Sequence, residues 1–95
     1  MVWRTTGEAE YDLQFIAEQG VIQFGPRVSR AYIARLIEMF GTIAEHPQMG
    51  SERLAQSGSV RLMPCGSHNI LYIVENEDVI VLRVLHGLQN WFDLL

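Results

Sequence analysis

Hydrophobic positions change their spacing once along this chain, from every third or fourth residue before about residue 46 to every second residue after residue 59. The first spacing predicts helices and the second predicts strands. Ala9, Leu13, Ile16, Ala17 and Gly20 fall on one helical face, with Glu10, Gln14 and Glu18 toward the opposite side. Gly25-Pro26 interrupts this pattern and restarts it, since proline is tolerated in a first helical turn where its missing N–H has no partner to lose. A second helix over about Pro26 to Glu45 carries Val28, Tyr32, Leu36, Phe40 and Ile43 as a stripe, widened by Ile33, Ile37 and Ala44. His46-Pro47 stops it, because the residue before proline is steered away from helical dihedrals. Gly50 follows, and residues 46–58 read as a polar connection.

Val2 to Thr5 reads as a short opening strand, and Thr5 with Glu8 has the form of a capping box for the first helix. Three further strands are predicted at Val60 to Met63, Asn69 to Glu75 and Val79 to Leu85. Pro64-Cys65-Gly66-Ser67 and Asn76-Glu77-Asp78 supply turns short enough to require antiparallel neighbours. The nearly unbroken apolar run Val79-Ile80-Val81-Leu82 suits a strand inside the sheet. The expected fold is α+β: a short N-terminal strand, a two-helix hairpin, then a three-stranded antiparallel β-meander and a short C-terminal segment, all in one domain over residues 1–95. Trp91, Phe92, Leu94 and Leu95 crowd that last segment, which predicts that it docks on the sheet or on a partner.

Composition narrows the function. A chain of 95 residues with 48% hydrophobic and 19% charged residues has material for one core and too little charge for disorder. No run approaches the roughly 20 apolar residues of a bilayer span, and Met1-Val2-Trp3-Arg4 lacks the layout of an export signal, so a cytoplasmic location is expected with no membrane partner. The single cysteine, Cys65, has no internal disulfide partner and is expected beside a turn. All seven basic residues are arginine, and the net charge is −4. That balance disfavours generic phosphate-backbone binding, and no direct sequence-specific nucleic-acid binding is expected.

Arg61 and Arg83 lie on separate predicted strands. If those strands share a face, the two guanidinium forks converge on one anionic group; otherwise each pairs with a local acid such as Glu75 or Asp78 and solvates an edge. His86 ends the last strand where a target can touch it, and His68 sits at a turn-to-strand joint, although lone histidines more often pack or cap. Cys65-x2-His68, with His46 and His86 as completions, has the outline of half a metal site but lacks the second close-spaced ligand pair, so neither metal nor other cofactor is expected. Tyr72, Trp91 and Phe92 are candidate interface anchors, with the core as the plainer home for Tyr72. No Ser-His-Asp arrangement, phosphate loop or close carboxylate pair stands out.

One further pattern spans almost the whole chain. Ala9 with Asp12-Leu13 and Ile16, the stripe Tyr32, Leu36, Phe40 and Ile43-Ala44, the stop His46-Pro47 with Gly50, then Val60-Arg61, Gly66-Ser67-His68-Asn69-Ile70-Leu71-Tyr72 and Val81-Leu82-Arg83-Val84-Leu85-His86-Gly87 together resemble the ParE and RelE superfamily of toxin–antitoxin toxins. His-x3-Tyr on one strand with Arg-Val-Leu-His-Gly on the next resembles the ParE branch in particular. That resemblance implies a protein that poisons DNA gyrase and is neutralised by a cognate antitoxin within a hetero-oligomer. It implies target contacts from Arg61, Arg83, His86 and Trp91, and antitoxin contacts from Tyr72, Phe92, Arg61 and Arg83. The RelE branch instead cuts messenger RNA on the ribosome and needs clustered cations with an acid or base. Asn69 and Gly87-Leu88-Gln89-Asn90 stand where that branch carries basic residues. Gln89 also replaces an arginine frequent in ParE-like chains, which leaves a third reading, a non-toxic antitoxin-binding module of the same fold.

Overall fold

The computed structural model describes residues 1–55 and 58–87. Strand β1 (Trp3–Thr5) leads into helices α1 (Gly7–Phe24) and α2 (Pro26–Glu45), followed by strands β2 (Ser51–Ala55), β3 (Gly58–Cys65), β4 (His68–Glu75) and β5 (Asp78–His86). The strands form one five-stranded sheet in the order β1-β5-β4-β3-β2, with β1 parallel to β5 and the other neighbours antiparallel. The expected α+β class and helical hairpin are present, but the expected three-stranded meander is widened by a strand at each edge. β2 lies within the stretch read as a polar connection. Its residues Ser51 to Leu54 are all exposed and none is β-branched, so the pairing with β3 rests on backbone bonds that leave no mark in the hydrophobic pattern.

The first helix starts one residue later than the capping box indicated. Thr6, not Thr5, is the cap: its hydroxyl accepts from Ala9 N–H at 3.1 Å and donates to the carbonyl of Leu82 at 2.8 Å. Thr5 belongs to β1 opposite Val81. Both hairpin turns are also tighter than expected. Asn76 and Glu77 take positive φ values of 53° and 68°, the pair of left-handed residues that a two-residue turn needs to match strand twist. Pro64 and Cys65 are strand residues; Cys65 flanks the Gly66-Ser67 turn as expected, and its position opposite His68 also buries it in the core under α2.

The core lies between the helices and one face of the sheet. Leu36, Phe40 and Ile43 of α2 and Ala9 of α1 meet Ile70, Tyr72, Val79, Val81 and Val84, all buried. Trp3 closes the β1 side, its ring edge-on to Phe40 at 5.2 Å. Each large apolar side chain buried in this way contributes about 1.5–3 kcal/mol. As expected, β5 is interior to the sheet, with Val79 and Val81 completely buried. The helical hairpin turns on the single residue Gly25, and it closes where Ser29 Oγ donates to the Ala17 carbonyl at 2.7 Å. A Cβ on Gly20 would stand 2.7 Å from that Oγ, so the close approach of α1 and α2 requires glycine there. Val28 and Ile37, assigned to the α2 stripe, are exposed instead: Val28 lines a recess near the joint and Ile37 sits at the stripe's margin. Among the described residues, no helix is long and apolar enough to cross a membrane.

Candidate functional site

The β4–β5 pairing shifts register between Leu71 and Tyr72, so that Leu71 faces Arg83, Tyr72 faces Val81, and Leu82 has no partner across the ladder. The irregularity frees backbone groups that α1 then takes up. Asp12, almost fully buried on α1, accepts from Arg83 Nε at 2.8 Å and from Val84 N–H at 3.0 Å through one oxygen, and from Arg83 Nη2 at 3.0 Å through the other. Arg83 also lies 3.4 Å from the exposed Glu8 carboxylate. The hydrogen bonding it donates to Asp12 holds the Arg83 guanidinium pKa above its ordinary value. A two-pronged charge-assisted pair of this kind fixes orientation as well as energy, and here it clamps α1 to the bulged part of β5.

A second cluster stands beside that clamp. His68 and His86 are direct partners across β4 and β5, with ring centroids 5.2 Å apart and planes at 79°. Tyr32 of α2 brings its hydroxyl within 2.6 Å of His68 Nδ1, accepts from Ser67 N–H at 2.9 Å, and lies 3.4 Å from the Cys65 carbonyl. Gly66 makes this approach possible: its φ is +60°, and a Cβ there would lie 2.6 Å from the Tyr32 oxygen. Burial, and secondarily the neighbouring His86, push the His68 pKa below its usual value. Both clusters open into one recess of about 860 Å³ between the helical hairpin and the end of β5, walled on its apolar side by Phe15, Ile16, Phe24 and Val28.

Arg61 belongs elsewhere. Its Nη1 donates to the carbonyls of Gly50 at 2.7 Å and Gln48 at 3.3 Å, and its Nη2 lies 3.4 Å from Glu52. It does not line the recess that holds Arg83, so the two arginines do not converge; the alternative is found, in which each pairs with a local acid, but the acids are Glu52 for Arg61 and Asp12 with Glu8 for Arg83 in place of Glu75 and Asp78. The reason is one of position, since Arg61 sits on β3 beside the 48–52 segment while Arg83 lies under α1. Tyr72 is completely buried and offers no surface to an antitoxin; its hydroxyl donates to the Pro47 carbonyl at 2.8 Å and accepts from Gly50 N–H at 2.9 Å. Trp91, Phe92 and Gln89 lie outside the described residues. Asp12 and Tyr32 were missed as site residues. The available signal was an acid at position 12, next to the apolar face of α1, and a hydroxyl on the α2 stripe, each needing a buried partner.

Residues 4–91 match the family model described as ParE toxin of type II toxin–antitoxin system, parDE. The chain belongs to the ParE toxin family. Toxin ParE3 of Caulobacter vibrioides is 29% identical to this ParE-family chain over 66 residues, which is 70% of this chain and 66%, just under two thirds, of that protein. Among solved structures, the chromosomal ParDE TA system from P. aeruginosa superposes with a TM-score of 0.78 over 92% of this chain and 96% of that one, at 19% identity. The toxin–antitoxin complex RelBE2 from Mycobacterium tuberculosis superposes with a TM-score of 0.64 at 25% identity, covering 90% of this chain and 95% of that one. The two-helix, five-strand arrangement is thus the ParE/RelE toxin fold.

Proposed function

We propose that this ParE-family chain inhibits DNA gyrase by direct protein–protein contact and is held silent by a cognate antitoxin in a hetero-oligomer. The observation that carries the reading is the apolar surface of the helical hairpin. Tyr11, Phe15, Ile22 and Phe24 are 70%, 54%, 75% and 66% exposed. Large exposed apolar patches mark surfaces that another macromolecule covers. An antitoxin would lay an amphipathic helix on this face and add main-chain pairing at an edge strand. His86, exposed at the end of β5, and Arg61 are then target contacts, while Arg83 acts by holding β5 in place. Purified gyrase should lose supercoiling activity and accumulate cleaved DNA when the chain is added, and the antitoxin should reverse both. Unchanged supercoiling with no rise in cleaved DNA would sink the gyrase reading.

One observation favours a second reading, ribosome-dependent cleavage of messenger RNA. Tyr32, His68 and His86 are groups able to move protons, and they stand in a recess with an arginine. Against it, Arg83 is already neutralised by Asp12, and the net charge of −4 opposes docking on RNA. Primer extension on messages from induced cells separates the readings, because ribosome-phased cuts belong to cleavage alone.

A further inference from the structure

We propose that His68 and His86 form an open binding site for a divalent transition metal such as zinc, nickel or copper, with Tyr32 as the residue that aims His68. The two imidazoles are cross-strand partners, so they leave the sheet from the same face and at a fixed separation. Both ends of this pair are held: Gly87 N–H donates to the Ser67 carbonyl at 3.0 Å, and Asn69 Nδ2 donates to the Gly87 carbonyl at 2.5 Å. Two imidazoles that share one metal at about 2.0–2.1 Å, in near-tetrahedral geometry, have ring centroids about 5 Å apart. The observed separation is 5.2 Å. The spacing of the two rings therefore matches that of a shared ion.

Tyr32 supplies the outer support that metal-binding histidines use, an oxygen on the ring nitrogen that does not touch the ion. Its hydroxyl has two places to put its proton. Directed at the Cys65 carbonyl, it leaves the phenol oxygen to accept from both Ser67 N–H and His68 Nδ1–H. His68 Nε2 then carries a lone pair. A cation beside an arginine would ordinarily be repelled, but Asp12 neutralises Arg83 through two hydrogen bonds. His86 is exposed at the recess, which gives the ion a way in. Among the described residues no group of three or more His, Cys, Asp or Glu side chains gathers to hold a metal, so this is a two-ligand site with its other positions left to water or to a donor from a bound partner. It would bind more weakly than a closed four-ligand site and favour imidazole-seeking ions over magnesium or calcium.

Titrating zinc chloride or nickel chloride into the untagged full chain, followed by calorimetry, tests the site independently of any gyrase or ribosome assay. One ion per chain should bind saturably, and His68→Ala or His86→Ala should each abolish that isotherm. Tyr32→Phe keeps the ring and should weaken binding about 10- to 100-fold. His46→Gln, at the far end of α2, should leave binding unchanged. Nickel added to the folded wild-type chain provides a check that needs no variant, because paramagnetic broadening of ring-proton resonances should centre on His68 and His86. No saturable binding, binding that survives both alanine substitutions, or broadening centred on His46 would overturn the site. Unchanged affinity in Tyr32→Phe would remove Tyr32 from it.

Discussion

Two tyrosines in this molecule do the same thing locally and different things globally. Tyr72 and Tyr32 each press a ring against a glycine, Gly50 and Gly66, where a Cβ would collide with the phenol, and each hydroxyl collects more than one hydrogen bond. Tyr72 gives both of its bonds to main chain, the Gly50 N–H and the Pro47 carbonyl, and is completely buried. Tyr32 is half-buried, opens on a recess and gives its shortest contact to a titratable side chain, His68. A hydroxyl saturated by backbone pins a loop and has nothing left to offer. A hydroxyl shared with an imidazole sets that imidazole's tautomer and direction, which is the kind of control a binding site needs.

The sharpest way to test the division is to remove the clamp that frames the Tyr32 side. Asp12→Ala leaves Arg83, among the described residues, with exposed Glu8 as its remaining acid and strips the acceptor from Val84 N–H. Breaking one partner of a buried pair costs about 3–5 kcal/mol, so urea denaturation should show a large drop in midpoint. Asp12→Asn, which keeps one acceptor oxygen, should recover part of the loss.

Next in size is Tyr72→Phe. It deletes the hydroxyl that accepts from the buried Gly50 N–H, and an orphaned buried donor costs about 1–3 kcal/mol. Thermal denaturation should register the change, while antitoxin binding, measured on the folded fraction, should stay at the wild-type value. Weakened binding with unaltered stability would reverse the assignment and return Tyr72 to an interface.

Much of this architecture was legible in the spacing of apolar residues, and the exceptions share a cause. The α2 boundaries follow from Pro26 and His46-Pro47, and the interior position of β5 follows from Val79 to Leu82, because burial writes itself into side-chain type. β2 was invisible because its pairing is made by backbone, and Ser51 to Leu54 bury nothing. The site was harder still. Arg83 and His86 were recognisable as candidates on a strand, but their partners Asp12 and His68 lie 71 and 18 positions away, and a register shift at Leu71 and Tyr72 decides which groups meet. Arg61 carried the same sequence signal as Arg83 and ended on the carbonyls of residues 48 and 50, for a reason that only the pairing of β2 with β3 supplies.

Tyr32→Phe should cost less stability than Tyr72→Phe, about 1 kcal/mol or below, because Ser67 is exposed and its N–H can turn to water. Its larger effect should be on His68, whose ring proton resonances should shift as the Nδ1 contact is lost. Smallest of all is Glu52→Gln. The Glu52 side chain is 63% exposed, and its 3.4 Å contact with Arg61 is a surface ion pair worth about 0–1 kcal/mol. Arg61 keeps the Gly50 and Gln48 carbonyls after that change, so the segment it holds should stay in place. A denaturation midpoint lowered as far by Glu52→Gln as by Tyr72→Phe would mean that the carboxylate, rather than the buried phenol, anchors residues 47–50, and the contrast between the two tyrosines would lose its structural half.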